Sequence, residues 1–131
     1  MSRRLARETA MQFLYEMEIN SDLSKEYYNK NLVIKLIDSN DTVFINNIIN
    51  TYIDNKEEVD TTIESNLNNW KLDRLNKVEL SILRLAVTEI KYIEDIPNKV
   101  SINEAVEISK RFCDDESYVF INGVLGEVLN G

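Results

Sequence analysis

Residues 75–90, LNKVELSILRLAVTEI, carry apolar side chains around most of a helix rather than along one narrow stripe. The apolar positions in this stretch are Leu75, Val78, Ile82, Leu83, Leu85, Ala86 and Ile90. Such breadth predicts a central helix that is contacted on more than one side, because a surface helix buries only one stripe. We expect Asp73 to cap this helix and the helix to end near Ile93, before Pro97.

Helical spacing of apolar residues continues toward the amino terminus. It predicts a first helix over residues 3–19 and a second near 24–37, which ends at the turn 38–41. A third helical stretch runs from Val43 to Trp70, with apolar side chains keeping the helical period throughout. The polar pair Asp54-Asn55 interrupts it, and the sequence leaves open whether this break is a loop or a kink.

Two further helices are predicted after Pro97. The S-x-x-E pattern of Ser101 and Glu104 predicts a capping box at the start of one, and the acidic turn 114–117 separates it from the last. Gly123 lies inside that last helix, where glycine costs about 1 kcal/mol relative to alanine. We therefore expect Gly123 to allow a close helix–helix approach or the near approach of a ligand. The fold class is all-α, with six or seven helices.

Composition limits the kinds of function that the chain can have. Its 131 residues, 44% of them hydrophobic, suffice for one domain with a core. The absence of histidine removes the Ser-His and Cys-His nucleophilic pairs and the commonest metal ligand. Cys113 is the only cysteine, so an internal disulfide is excluded and a reduced, cytosolic compartment is expected. No run of about 18 apolar residues predicts a membrane span. We expect no cofactor.

Charged residues of the predicted central helix bear on catalysis and on packing. Glu79 and Glu89 lie about 15 Å apart along a helix axis, too far for paired acid–base work, so we expect no enzyme. Arg84 stands between apolar neighbours, which predicts a buried or half-buried ion pair with a nearby acid.

Three arginines, Arg3, Arg4 and Arg7, fall within five positions of a protein whose formal net charge is −8. They lie together at the start of the first helix, where the helix dipole favours anions rather than cations. One interpretation is a solvated cluster balanced by Glu8 and neighbouring acids. The other is phosphate binding, because the planar guanidinium holds phosphate through two hydrogen bonds. An acidic protein can bind RNA through such a local patch.

Four segments together resemble the NusB family of bacterial transcription antitermination factors. They are SRRLARETAMQFLY at residues 2–15, LNKVELSILRLAVTEI at 75–90, VSINEAVEISKRF at 100–112 and FINGVL at 120–125. The resemblance implies an all-helical fold of two packed three-helix lobes, approximately residues 1–70 and 71–131. It also implies a non-catalytic factor that binds boxA RNA together with NusE, a small-subunit ribosomal protein. Such a factor helps RNA polymerase pass terminators in ribosomal RNA operons.

The resemblance also implies site residues. The family's RNA-facing or NusE-facing positions fall on the three amino-terminal arginines and on Tyr15, Glu79, Glu116 and Phe120. We assign Glu79 to the partner surface and the others to RNA. This chain departs from the family at two places. Some relatives carry a basic residue before the phenylalanine, where this chain has Val119, and the segment before Arg3 is short. Both departures concern RNA affinity rather than the fold.

Two alternatives stay open. The acidic runs 57–60 and 114–116, with a pI of about 4.6, also suit an acidic helical scaffold that docks basic proteins without touching RNA. The second alternative is a homodimer that covers the arginine surface until RNA or NusE displaces the second copy.

Overall fold

The computed structural model describes residues 2–32, 39–68 and 70–130, which form seven α-helices and one short 3₁₀ helix. The elements are α1 (Arg3–Ile19), α2 (Lys25–Leu32), α3 (Ser39–Asp54), α4 (Lys56–Ser65), the 3₁₀ helix (Leu72–Arg74), α5 (Lys77–Tyr92), α6 (Asn98–Phe112) and α7 (Asp115–Asn130). No strand occurs in these ranges, and the all-α prediction is confirmed. Residues 33–37 of the predicted second helix lie outside the described residues.

Helix α5 is the centre of the fold. It packs against α1, α3, α4, α6 and α7, and every residue from Leu80 to Glu89 is buried. The prediction from the broad apolar face is therefore confirmed. Burial of one aliphatic side chain stabilises a fold by about 1.5–3 kcal/mol, so this segment anchors the surrounding helices. The division into lobes at residues 1–70 and 71–131 stays a prediction.

The cap of α5 differs from the prediction. Asn76, and not Asp73, occupies the cap position, where its side-chain oxygen accepts the backbone N–H of Glu79 at 2.8 Å. Asp73 belongs to the separate 3₁₀ helix, and the extended backbone of Leu75 lies between the two elements. The apolar spacing alone did not reveal this interruption.

The predicted capping box at Ser101 and Glu104 is wrong. Pro97 occupies the cap position of α6, so the helix begins at Asn98 and both residues lie inside it. The two polar side chains instead make contacts with other helices. Ser101 Oγ donates a hydrogen bond to Glu89 Oε1 at 3.1 Å, and Glu104 accepts two from Arg4.

The break between α3 and α4 is a single residue. Asn55 has φ −126° and ψ 22°, and its N–H donates to the carbonyls of Thr51 and Tyr52 at 3.1 and 3.0 Å. The chain is therefore kinked here without an intervening loop. The turn before α7 agrees with the prediction, since Asp114 Oδ1 accepts the N–H of Ser117 at 3.2 Å.

Arg84 forms the predicted buried ion pair, and it does so with two acids. Its Nη1 lies 2.7 Å from Glu18 Oε1, and its Nε lies 3.0 Å from Asp60 Oδ1. The hydroxyl of Tyr52 also donates to Asp60, at 3.1 Å. Since Glu18 is on α1 and Asp60 on α4, Arg84 fixes both helices to α5.

Candidate nucleic-acid interface

Arg7 lies inside the fold. Only 4% of the residue is exposed, and its Nε and Nη2 donate to the two Glu89 carboxylate oxygens at 2.9 and 3.0 Å. Glu89 is 1% exposed and also accepts from Ser101. This ion pair joins the start of α1 to the end of α5. In this geometry Arg7 positions the first helix, and its guanidinium is not offered to a phosphate.

Arg4 lies at the surface. Its Nε and Nη2 donate to the two Glu104 carboxylate oxygens at 3.0 and 2.7 Å, and half of its side chain is exposed. The hydrogen bond from Arg4, opposed by burial and assisted by the charges of Arg4 and Arg7, lowers the pKa of Glu104. A guanidinium carries five N–H groups. Two of them bind Glu104, so three remain to bind a second anionic ligand.

Arg3 is exposed and stacks on an aromatic ring. Its Cζ lies 4.1 Å from the ring centroid of Phe44 on α3, a cation–π geometry. Arg3 and Phe44 together line two grooves, one along the asparagine-rich face of α3 and one toward the loop between α5 and α6. The stack holds the guanidinium of Arg3 against α3, and the residue stays exposed to solvent.

A second group of predicted residues lies at the other end of α5. Glu79, Glu116 and Phe120 line one groove of about 350 Å³. Glu79 Oε2 accepts a hydrogen bond from Ser117 Oγ at 2.6 Å, which joins the first turn of α5 to the first turn of α7. Because Glu79 and Glu89 are about 15 Å apart along the helix, this groove is separate from the arginine group.

Tyr15 lies on α1 between the two groups. Eleven residues separate it from Arg4, a rotation of only about 20° and a rise of about 16 Å, so both face the same side of the helix. The salt bridge of Glu18 to Lys77, at 3.2 Å, places this end of α1 beside the start of α5. Tyr15 is 37% exposed.

The structure adds one aromatic residue that the sequence analysis missed. Trp70 follows α4 instead of continuing it, and 60% of it is exposed. It lines the same groove as Glu79, Glu116 and Phe120. The prediction that the helix continues to Trp70 is wrong, because α4 ends at Ser65. Its signal in the sequence is one tryptophan followed closely by Lys71 and Arg74.

Gly123 is exposed on α7, and a Cβ built there meets no heavy atom within 4 Å. The predicted role in a close helix–helix approach is therefore wrong, because no neighbouring helix comes near. The near approach of a ligand stays a prediction. Gly123 lines a groove together with Phe120 and Trp70.

Within the described ranges, no helix has the length and apolar character needed to cross a membrane. In the same part of the chain, no cluster of three or more cysteine and carboxylate side chains is arranged to hold a metal ion.

Comparison with known proteins gives one consistent result. The model of the NusB family matches residues 4–130. A transcription antitermination protein NusB from Clostridium novyi is 45% identical over 131 residues and one from Bacillus mycoides 48% over 128. The match covers 98% of this chain in both, and 98% and 97% of the respective relatives.

Solved structures agree. A T. maritima NusB structure has a TM-score of 0.88 at 30% identity, covering 98% of this chain and 90% of that one. A structure of the antitermination factors NusB and NusE in complex with dsRNA has a TM-score of 0.84 at 25% identity, covering 96% and 94%.

Proposed function

The chain belongs to the NusB family, and from this membership we propose that it is an RNA-binding transcription antitermination factor that binds boxA RNA together with NusE. The observation that carries the RNA contact is the exposed pair Arg3 and Arg4, which concentrates cations at one helix start of a protein with net charge −8. The net negative charge of the rest of the protein disfavours RNA contacts that lack a nearby cation.

The partners follow from the family. A structure of NusB and NusE in complex with dsRNA contains a chain with this fold. The proposed partners are therefore NusE and the RNA polymerase antitermination complex. The proposed role is to support transcription of ribosomal RNA operons. Glu79, Glu116, Phe120 and Tyr15 belong to the proposed RNA-facing or NusE-facing surface. The protein has no catalytic role in this proposal and acts in the cytoplasm. The homodimer stays a prediction, and a concentration-independent monomer mass in light scattering would remove it.

The buried position of Arg7 decides how the RNA contact is tested. Exchange of all three arginines for glutamate would place a second carboxylate against the buried Glu89 and unfold the protein. Loss of binding in that triple variant would then report loss of the fold. The informative variant is Arg3→Glu/Arg4→Glu, which changes only exposed side chains.

The experiment is a gel shift with boxA RNA, with and without NusE, at two salt concentrations. We expect the Arg3→Glu/Arg4→Glu variant to lose binding while its circular dichroism stays that of the wild type. The matched control is Lys30→Glu/Lys56→Glu, which makes the same charge change at exposed lysines of α2 and α4. Equal RNA affinity of the arginine variant and the wild type would contradict the assignment.

That outcome would favour the acidic scaffold instead. Pull-down with NusE from nuclease-treated lysate separates the two functions, since a pure protein-docking module keeps its partner after nuclease treatment and is indifferent to Arg3 and Arg4.

A further inference from the structure

Trp70 is the largest exposed apolar side chain in the described residues, and it is the only tryptophan of the chain. Its backbone N–H donates to the carbonyl of Leu67 at 3.1 Å, and Asn68 turns the chain through a left-handed φ of 49°. The residue is therefore held in place by a turn and not by burial of its ring. An indole held in this way presents a flat apolar surface to solvent.

Three grooves meet at Trp70. One, of about 350 Å³, contains Phe120 and the carboxylates of Glu79 and Glu116. A second, of about 380 Å³, also contains Phe120 and runs over Gly123. The third contains Asn68 and the cations Lys71 and Arg74. Arg74 lines the first groove as well as the third, so acidic and basic side chains adjoin around Trp70. A second aromatic ring lies in two of the three grooves.

We propose that Trp70 stacks on an unpaired RNA base and extends the binding surface of Phe120 across the grooves over Gly123 and beside Lys71 and Arg74. The inference rests on the proposed function, since it names how that surface holds its RNA. Aromatic side chains stack on unpaired bases with little dependence on sequence.

The charges around the ring fit a nucleotide. Lys71 and Arg74 can neutralise phosphates. The carboxylates of Glu79 and Glu116, which share a groove with Arg74, can accept hydrogen bonds from the exocyclic amines of bases. A nucleotide supplies a phosphate, a flat ring and, in three of the four bases, an exocyclic amine.

A protein occupant fits less well. An apolar segment would bury the three carboxylates of Glu79, Asp114 and Glu116 with only one cation, Arg74, in the same groove, and burial of the excess negative charge is costly. A second copy of this chain, with the same net charge of −8, would be repelled at this acidic groove unless it presented a cationic patch there. Gly123 adds to the argument for a flat ligand, because it leaves its stretch of the groove without a side chain.

The single tryptophan makes the contact directly measurable. Full-length protein is titrated at low salt with a single-stranded boxA oligoribonucleotide, without NusE, so that Trp70 is the only tryptophan in the sample. Affinity is measured in parallel with an end-labelled copy of the same RNA. We expect the tryptophan fluorescence to be quenched with the same midpoint as the labelled RNA binds.

Variants separate stacking from folding. Trp70→Ala should weaken RNA binding about tenfold, the order of one stacked base, and Trp70→Phe should restore most of the affinity. Gly123→Leu, which fills the groove without changing Trp70, should also weaken binding. Its matched control is Gly126→Leu. Gly126 is a second glycine of α7, a Cβ built there also meets no heavy atom within 4 Å, and the residue does not line the groove. Leu129→Ala controls for loss of an exposed apolar side chain.

Three results would overturn the inference. RNA binding with unchanged tryptophan fluorescence and wild-type affinity in Trp70→Ala would remove the stacking contact and leave the proposed function intact. A Trp70→Ala variant that loses NusE in pull-down without RNA, but keeps its RNA affinity, would make the grooves a protein site. Absence of RNA binding by the wild type, with and without NusE, would overturn the proposed function as well.

Discussion

Arg7 and Glu89 show how a single residue changes role once its partner is known. They are 82 positions apart in the chain, and nothing in the local sequence distinguishes Arg7 from Arg3 or Arg4. Periodicity places all three on one helix start, but it does not reveal which of them faces another helix. The sequence therefore assigns all three arginines alike to the RNA surface. The structure buries Arg7 against Glu89, and the assignment of Arg3 and Arg4 stays a prediction.

Removal of Arg7 should destabilise the protein more than removal of Arg4. Arg7→Ala leaves the buried Glu89 carboxylate without its main partner, which costs about 3–5 kcal/mol in comparable pairs. Arg4→Ala breaks a contact at the surface and should change the free energy of unfolding little. Urea denaturation followed by circular dichroism measures both. The double variant Arg7→Leu/Glu89→Leu should recover most of the loss, and equal stability of Arg7→Ala and Arg4→Ala would contradict the buried pair.

The contact of Glu104 with Arg4 makes stability depend on pH in the acid range. The folded pKa of Glu104 lies below the ordinary glutamate value of 4.5, so protonation is easier in the unfolded chain. The stabilisation is complete above about pH 4.5 and is lost as the pH falls through the folded pKa. We therefore expect thermal denaturation midpoints to fall more steeply below pH 4.5 in the wild type than in Glu104→Gln. Parallel profiles of the two proteins would exclude this linkage.

At the scale of elements, broad periodicity was a better guide than capping motifs. The apolar pattern of residues 75–90 identified α5 as the central helix, because burial on several sides leaves a direct trace in the sequence. The predicted caps at Asp73 and Ser101 were wrong, since many polar residues can cap a helix and the backbone decides which one does. Pro97 in particular starts α6 one turn before Ser101.

The cap of α5 gives a direct test of its observed start. Asn76→Ala removes the acceptor for the backbone N–H of Glu79 and should cost about 1 kcal/mol. Asp73→Ala, three residues earlier in the 3₁₀ helix, should cost less. Chemical denaturation gives the free energy of unfolding of each single variant. The two variants are matched, because each replaces a side chain of similar size with alanine just before α5. A larger loss in Asp73→Ala would place the start of α5 differently.

At the scale of the whole molecule, the sequence grouped site residues that the structure divides between two ends of α5. Arg3 and Arg4 lie near its last turn, and Glu79, Glu116 and Phe120 near its first. Trp70 completes the second group, yet it escaped detection because an exposed indole continues an apolar period as well as a buried one does. Exposure depends on where α4 ends, which is set by packing. An RNA that reaches both groups must therefore cross the helices that bury α5, parallel to its axis.

Salt dependence measures how many arginines contact phosphate. For single-stranded RNA, log K falls with log salt by about 0.7 per phosphate neutralised. Two contacts, from Arg3 and Arg4, predict that Arg3→Gln/Arg4→Gln reduces the slope by about 1.4. Fluorescence anisotropy of labelled boxA RNA between low and moderate salt gives the slope. Lys30→Gln/Lys56→Gln removes the same charge elsewhere and should leave it unchanged, because direct phosphate contacts, and not net charge, release counterions. Equal slopes for the wild type and the arginine variant would show that RNA binds on another face.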